Sequence, residues 1–551
     1  NVHGNETPLD MTALDEALPA LSQTVSSFAI AGYFAVRNPA HEQRVRERIR
    51  EVSHLPVTCS HELSSKLGGP RRALTTLLNA RLVSMIDRLI GSCEDYLTRR
   101  GIHVPMMVVR GDGALISAAE ARLRPIETIL SGPAASLVGA RHLTGLENAV
   151  VSDIGGTTTD VAVLDNGRPK LDAEGAVVGG YRTMVEAVAM RTFGLGGDSE
   201  VRVNDRGLTA KIDLGPRRFM PLSLASQLHP DAVVPVLERQ LRAPHMGRND
   251  GRFAVRTGVP ERLASGLTPQ EQALYDKIGP VPLPLDALLA TTPQKATLDR
   301  LVARGLVHIC AITPSDAMHV LGGQGQWDAT AARLGLELAA RTKDGSGRPI
   351  AETPEALARL LVDRLTRQSA DVILSACLAD DGVGAIDPAN SISVDRALRR
   401  VPGIVRFRVA LDRPLVGLGA SAPVYYPAIA DMLGAESAIP ADAGVANAVG
   451  AVVGQVRNSA TVFVTQPEEG IFIVGGIGEN VRLLDEEAAF SLARERAMTA
   501  ALQAARANGA DEPAVTLAEA IDAPDVEGSR KLIEARFTAT ASGRPRIAEE
   551  V

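Results

Sequence analysis

The sequence predicts a layered α/β fold, on three observations. Strand-like and helix-like patterns alternate through residues 28–109, and three glycine-rich loops follow apolar, strand-like runs. Ala, Gly, Val and Leu dominate while aromatics make up 3% of the chain, the usage of helices packed closely on sheets.

Residues 28–36 alternate loosely and stop at Asn38-Pro39, a strand entering a turn. Residues 41–52 form a charged helix with His41 placed to cap it, and residues 55–59 form a second strand. A long amphipathic helix over 71–99 ends at Gly101, and a third strand at 105–109 enters the turn Arg110-Gly111-Asp112-Gly113. Ser131 is the expected N-cap of a helix reaching His142, with Gly132 and Pro133 where a helix start tolerates them. The run from Val150 to Leu164 then reads as strand, glycine turn, strand.

A second glycine loop is Gly194-Leu195-Gly196-Gly197-Asp198-Ser199. Residues 206–294, rich in Pro and Arg, read as an inserted or peripheral subdomain with helical segments. A small helix at 296–305, a strand at 307–312 and a helix at 354–378 follow. The apolar stretch 405–416 leads into the third loop, Gly417-Leu418-Gly419-Ala420-Ser421, and then a helix. Residues 444–456 form a small-residue helix suited to close packing against a sheet. Two strands, a helix over 486–508 and a final strand at 532–541 make a small C-terminal α+β unit.

At 551 residues the chain exceeds one core. A net charge of −7 without a basic block argues against nucleic acid, and no apolar run is long enough to span a bilayer. Cys59, Cys93, Cys310 and Cys377 show no CxxC spacing, which disfavours structural zinc and a disulfide framework and points to the cytoplasm. The polar start lacks a signal peptide, and it lacks Met, so the natural N-terminus is expected upstream.

The chemistry concentrates in Asp153-Ile154-Gly155-Gly156-Thr157-Thr158-Thr159-Asp160. Gly155 and Gly156 let backbone N–H groups approach a phosphate, and Thr157, Thr158 and Thr159 add hydroxyl donors. Asp153 and Asp160 repel phosphate and are better placed to hold a metal or a water beside it. A plain hairpin turn is the competing reading, but it needs no run of threonines. Three loops ending strands suggest a nucleotide cleft lined by Gly196, Gly197, Gly417, Gly419 and Ser421. P-loop, GxSxG and HExxH signatures are absent; His41-Glu42 and His61-Glu62 lack the second histidine of a zinc helix.

Taken in order, further segments resemble the hydantoinase A/5-oxoprolinase family. They are Arg37-Asn38-Pro39-Ala40-His41-Glu42, Ser60-His61-Glu62-Leu63, Thr75 to Ala80, Gly111-Asp112-Gly113, Ser131-Gly132-Pro133-Ala134, Gly194 to Ser199, and Ser315-Asp316-Ala317 with Leu321-Gly322. The resemblance spans about residues 28–456. It implies an actin–hexokinase–Hsp70-like (ribonuclease H-like) fold, ATP with Mg²⁺ or Mn²⁺, and a cyclic amide substrate of the hydantoin or 5-oxoproline type, activated by phosphorylation of its carbonyl. It also implies a hydantoinase B-type partner subunit, an oligomer, and catalytic roles for Asp153 and Asp160 with Asp153 on the metal. An ATP-dependent ketone carboxylase subunit or a non-catalytic nucleotide-binding or assembly protein would share these motifs.

Members of that family open with a hairpin carrying another Asp-x-Gly-Gly-Thr element, which this sequence lacks. The resemblance therefore implies a chain without the N-terminal lobe. The expected domains are 1–145, the rest of the first lobe; 146–205, the second lobe's phosphate hairpin; 206–295, the insertion; 296–457, the remaining second lobe with the adenosine-side loop; and 458–551, the C-terminal unit.

Overall fold

The computed structural model describes residues 8–205, 207–289, 291–526 and 529–546. The chain forms two compact units, one of Asn1–Gly145, Leu164–Ala189 and Ala446–Val551, the other of Leu146–Val163 and Met190–Val445. Both mix helices with sheets, and no helix among the described residues is long and apolar enough to cross a membrane.

The first unit contains a parallel pair, β1 (Phe28–Ile30) and β2 (Val57–Cys59), joined by helix α1 (Ala40–Val52) and followed by α2 (Gly69–Arg99). Strand β1 is shorter than the alternation implied, because after it Gly32 leaves the sheet and gives its N–H to the Glu42 carboxylate. Helix α1 starts at Ala40 with Pro39 at the cap, so His41 lies inside the first turn. Helix α2 buries a polar stripe of Arg72, Thr75, Thr76 and Asn79. Asn79 shows why: Nδ2 donates to Thr58 Oγ1 and the Leu123 carbonyl, and Oδ1 accepts from Ile126 N. A side chain saturated in this way pins three segments without an unpaired buried amide.

The third expected strand, Met107–Val109, does not continue this layer. It pairs with Leu115–Ser117, which joins the C-terminal sheet through Leu115 and Val456. That sheet runs Val481–Leu483, Ile471–Gly475, Val456–Glu468, Glu534–Pro545, Ala510–Asp522. The helix Glu486–Ala507 lies on it through Ala489, Ala493, Ala497, Ala501 and Ala505, each 0% exposed. Alanine every fourth residue makes one smooth helix face, and it lets the backbone approach the sheet closely.

The helix Ser131–Thr144 begins differently from expectation: Leu130, at φ 64°, occupies the cap and Ser131 is the first helical residue. It packs on the small-residue helix Ala446–Val453, which therefore meets a helix where a sheet was expected. A Cβ on Gly139 would stand 1.9 Å from the Ala446 carbonyl oxygen, and one on Gly450 1.8 Å from that of Ala135.

In the second unit the main sheet is ordered β5 (Met190–Phe193), β4 (Thr159–Asp165), β3 (Ala149–Ile154), β6 (Leu415–Leu418), Ser437–Ala438. Strand β6 runs parallel to β3, with Leu418 opposite Asp153, and β5 runs antiparallel to β4. Strand β3 is buried at Ala149, Val150, Val151, Ser152 and Ile154, as a central strand should be. A four-stranded sheet built from Met220–Pro221, Val307–Ala311, Phe253–Arg256 and Leu283–Pro284 lies in the same unit, its strands drawn from both sides of residue 295.

Candidate functional site

Strand β3 delivers Asp153 and Ile154 to a turn in which Gly155 N donates to the Thr158 carbonyl at 2.9 Å, and β4 returns from Thr159. The N–H groups of Gly156 and Thr157 find no backbone acceptor among the described residues. Unpaired, partly exposed donors on a glycine turn are the ingredients of an anion nest. Thr157 is exposed and Thr158 half-buried. Thr159 is buried, and its Oγ1 donates to the Leu195 carbonyl at 2.7 Å, tying two glycine loops together.

Beside that side-chain bond, the second loop docks on the first through two backbone bonds. Gly197 N donates to the Gly155 carbonyl at 3.1 Å and Asp198 N to that of Gly156 at 2.9 Å. A Cβ on Gly196 would stand 2.5 Å from the Gly155 oxygen, so only glycine fits there. Asp198 is 5% exposed, accepting from Ser315 Oγ at 3.0 Å and from the Arg218 guanidinium at 3.0 Å.

The third loop closes on the same turn. Gly419, at φ 99°, gives its N–H to the Ala443 carbonyl; a Cβ there would meet the Ile154 oxygen at 2.4 Å and Asp153 Oδ1 at 3.1 Å. Gly417 lies under the Tyr426 ring, which a Cβ would overlap. Ser421 stands at the N-cap of the helix Ala422–Met432, its side chain making no capping bond.

The structure thus brings Asp153, Gly155, Gly156, Gly196, Gly197 and Gly419 together, with Gly417 packed behind them. Asp160 lies on β4 opposite Thr192 of β5. Its Oδ1 is buried without a partner, and burial pushes its carboxyl above the usual range while a hydrogen bond with Thr192 works against the shift.

Sequence reasoning placed Ser315 in a family-like segment without giving it a site role, and it missed Arg218 and Tyr425. The Tyr425 hydroxyl is buried and unpartnered, with Asp198 and Asp316 both near enough to join burial in raising its pKa. Ser315 N donates to the Gly197 carbonyl at 2.8 Å. A helix start at Thr313 just after an apolar strand was the signal for Ser315; nothing local marks Tyr425.

An orphaned buried hydroxyl and free turn amides beside a carboxylate fit a polyphosphate with its counter-cation. Asp153 belongs to no group of three protein ligands; among the described residues the one such group is Glu42, Cys59 and His61. A cation at Asp153 would therefore be held largely by phosphate oxygens and water, the habit of Mg²⁺. The same unit has a separate cavity of about 910 Å³, lined by Arg248, Arg252 and Lys343 among others and by no residue of the glycine loops.

Comparison with known proteins matches residues 72–225 to the hydantoinase/oxoprolinase family and residues 2–53 to the hydantoinase/oxoprolinase N-terminal region. The chain is 30% identical over 217 residues to caprolactamase subunit alpha of Pseudomonas jessenii, covering 38% of this chain and 30% of that protein. It is 33% identical over 198 residues to the acetophenone carboxylase gamma subunit of Aromatoleum aromaticum, covering 33% of this chain and 25% of that protein. The matched stretches thus span less than a third of either relative. The crystal structure of the ATP-dependent caprolactamase from Pseudomonas jessenii shares the fold with a TM-score of 0.58 at 17% identity, over 100% of this chain and 70% of that one.

Proposed function

Because the chain belongs to the hydantoinase/oxoprolinase family, we propose that it is the nucleotide-handling subunit of an ATP-dependent enzyme that opens a cyclic amide. The observation that carries this reading is the docking of Gly196-Gly197-Asp198 onto Gly155-Gly156, with Asp153 and Gly419 beside them. Gly155, Gly156, Thr157 and Thr158 hold phosphates, and Thr159 fixes the loop that presents them. Asp153 holds Mg²⁺ or Mn²⁺, and Asp160 keeps or moves a proton. Gly196, Gly197, Gly417, Gly419 and Ser421 shape the nucleotide cleft.

ATP supplies a phosphoryl group that turns a poor amide-oxygen leaving group into a good one. The chain's own part is positioning and backbone stabilisation of the transferring charge. The relatives are named as subunits of larger enzymes, which supports a second, hydantoinase B-type chain as partner. A ketone carboxylase is the second reading, favoured by the likeness to the acetophenone carboxylase subunit.

The test combines the chain and its partner subunit with ATP, Mg²⁺ and hydantoin or 5-oxoproline. Substrate-dependent phosphate release, abolished by Asp153→Asn, is expected. Turnover that requires bicarbonate and a ketone selects the carboxylase, and Asp153→Asn that leaves function intact points to an assembly protein. No release with the partner present overturns the reading.

A further inference from the structure

The parallel strands β1 and β2 end side by side, Ile30 opposite Cys59. Ligands of parallel sheets gather beyond such carboxyl ends. Here the chain concentrates polar groups in a nearly dry place: Glu42 is 1% exposed, and Ser60 and Arg72 are 0%. The Glu42 carboxylate accepts from Gly32 N at 2.5 Å, Ser60 Oγ at 2.5 Å, His61 N at 3.0 Å and His61 Nδ1 at 2.6 Å. Arg72 spends its guanidinium on Ser60 Oγ at 2.9 Å and on the carbonyls of Gly32 at 2.5 Å and Tyr33 at 3.0 Å.

Burial pushes the Glu42 carboxyl up, but its hydrogen bonds with His61, Ser60 and Gly32 outweigh that and hold it below the usual range. An ionised carboxylate only accepts, so Nδ1 is the donor, and in the singly protonated ring Nε2 carries the lone pair. The His61 side chain is 16% exposed, and Nε2 meets no partner among the described residues.

Two plainer readings explain less. The ligand atoms of Glu42, Cys59 and His61 lie within 4.8 Å of one another, as a metal site would need. Yet Cys59 Sγ points at the Glu42 carbonyl, burial pushes its thiol up to about 12, and the Glu42 oxygens are taken by four donors. A purely structural role fares no better, since burying a carboxylate and a guanidinium seldom adds stability over apolar packing. The charges acting on neighbouring Cys59 are Glu42, Arg46 and Arg50 of α1 and Glu62, which pairs with Arg46, while Arg72 of α2 bonds Ser60.

We infer that His61 is a proton acceptor at the carboxyl ends of β1 and β2, with Nε2 as the working atom and Glu42 and Arg72 as positioning residues. Its substrate is a small molecule with an acidic O–H, N–H or C–H beside a carbonyl; the inference rests on the proposed cyclic-amide or ketone chemistry. The substrate's X–H bond breaks with its electron pair left on X, and the proton bonds to Nε2. The Glu42 carboxylate stabilises the imidazolium, which later returns the proton to a departing nitrogen or to solvent.

The test uses the full chain with its partner, ATP, Mg²⁺ and hydantoin, 5-oxoproline, or acetone with bicarbonate. His61→Gly is expected to lose turnover by about 10²–10⁴-fold, to keep ATP binding, and to regain at least about tenfold with added imidazole. Activity within threefold of wild type, or a folded variant that imidazole fails to rescue, overturns the inference. The isolated chain gives a second measurement, valid even if His61→Gly does not fold. Nitrogen-15 NMR of labelled histidine, with His61→Asn to identify the signal, is expected to show the Nδ1–H tautomer, lost in Glu42→Gln. An Nε2–H tautomer, or a stoichiometric metal that His61→Asn releases, overturns it. If wild type releases no phosphate with any substrate, the proposed function fails and the tautomer measurement alone decides this inference.

Discussion

Replacing Gly196 with Ala is the sharpest probe of the glycine-loop contact. The added methyl would stand 2.5 Å from the Gly155 carbonyl oxygen and 2.6 Å from that of Gly156. A comfortable C···O approach is about 3.3 Å, so the second loop must retreat by about 0.8 Å (3.3 − 2.5). The Gly197–Gly155 and Asp198–Gly156 bonds, 3.1 and 2.9 Å long, then stretch past hydrogen-bonding range. Each is worth about 1 kcal/mol, and residual overpacking adds about 1–2 kcal/mol. The sum, about 3–4 kcal/mol, exceeds the gain of less than about 1 kcal/mol from restricting the unfolded chain. ATP binding by calorimetry and urea unfolding by circular dichroism read the result: affinity is expected to fall more than tenfold and the unfolding midpoint to drop. Gly132→Ala is the control, because a Cβ there meets nothing within 4 Å. Wild-type affinity and midpoint in Gly196→Ala would refute the idea that this backbone contact builds the site.

Asp160→Asn is expected to stabilise the protein at pH 7 while lowering turnover by about 10²-fold. A carboxyl whose folded pKa is raised costs stability as pH climbs past its unfolded value of 3.8, so the gain should vanish below that pH; unfolding midpoints at two pH values check the sign. Ala497→Leu forces a larger side chain into the alanine face and should cost about 1–3 kcal/mol, read by urea unfolding. Glu271, held down at about 2 by the Thr268 backbone N–H and by Arg300, contributes stability above pH 4.5 that is lost as pH falls toward 2. Glu271→Gln should therefore flatten the acid limb of a pH–stability curve.

The parts legible in the sequence are those whose cause is local. Glycine turns after apolar runs marked all three loops, and the alanine-rich pattern over 486–508 marked its helix to within a residue. Strand Ala510–Asp522 escaped because most of its side chains are exposed or half-buried, leaving no apolar alternation to read. The third strand of the first unit was seen, but its sheet was misassigned, since its hairpin partner Leu115 joins that sheet at Val456, 341 residues away, and such a pairing leaves no local trace. The same holds for the site. Asp153, Gly155 and Gly156 announce themselves and Ser315 sits in a recognisable helix start, whereas Tyr425 and Arg218 reach the site only through tertiary packing.

The crossing of Gly139 over Ala446 and of Gly450 over Ala135 bears on how the polypeptide becomes a protein. Those residues are brought together across the whole of Met190–Val445, the bulk of the other unit. As the ribosome releases the chain, the helix Ser131–Thr144 must wait, its glycine face uncovered, until Ala446–Val453 emerges. Closing a loop of that length costs chain entropy that rises only slowly with its length. A nascent chain halted before residue 446 should hold that helix in a protease-sensitive state.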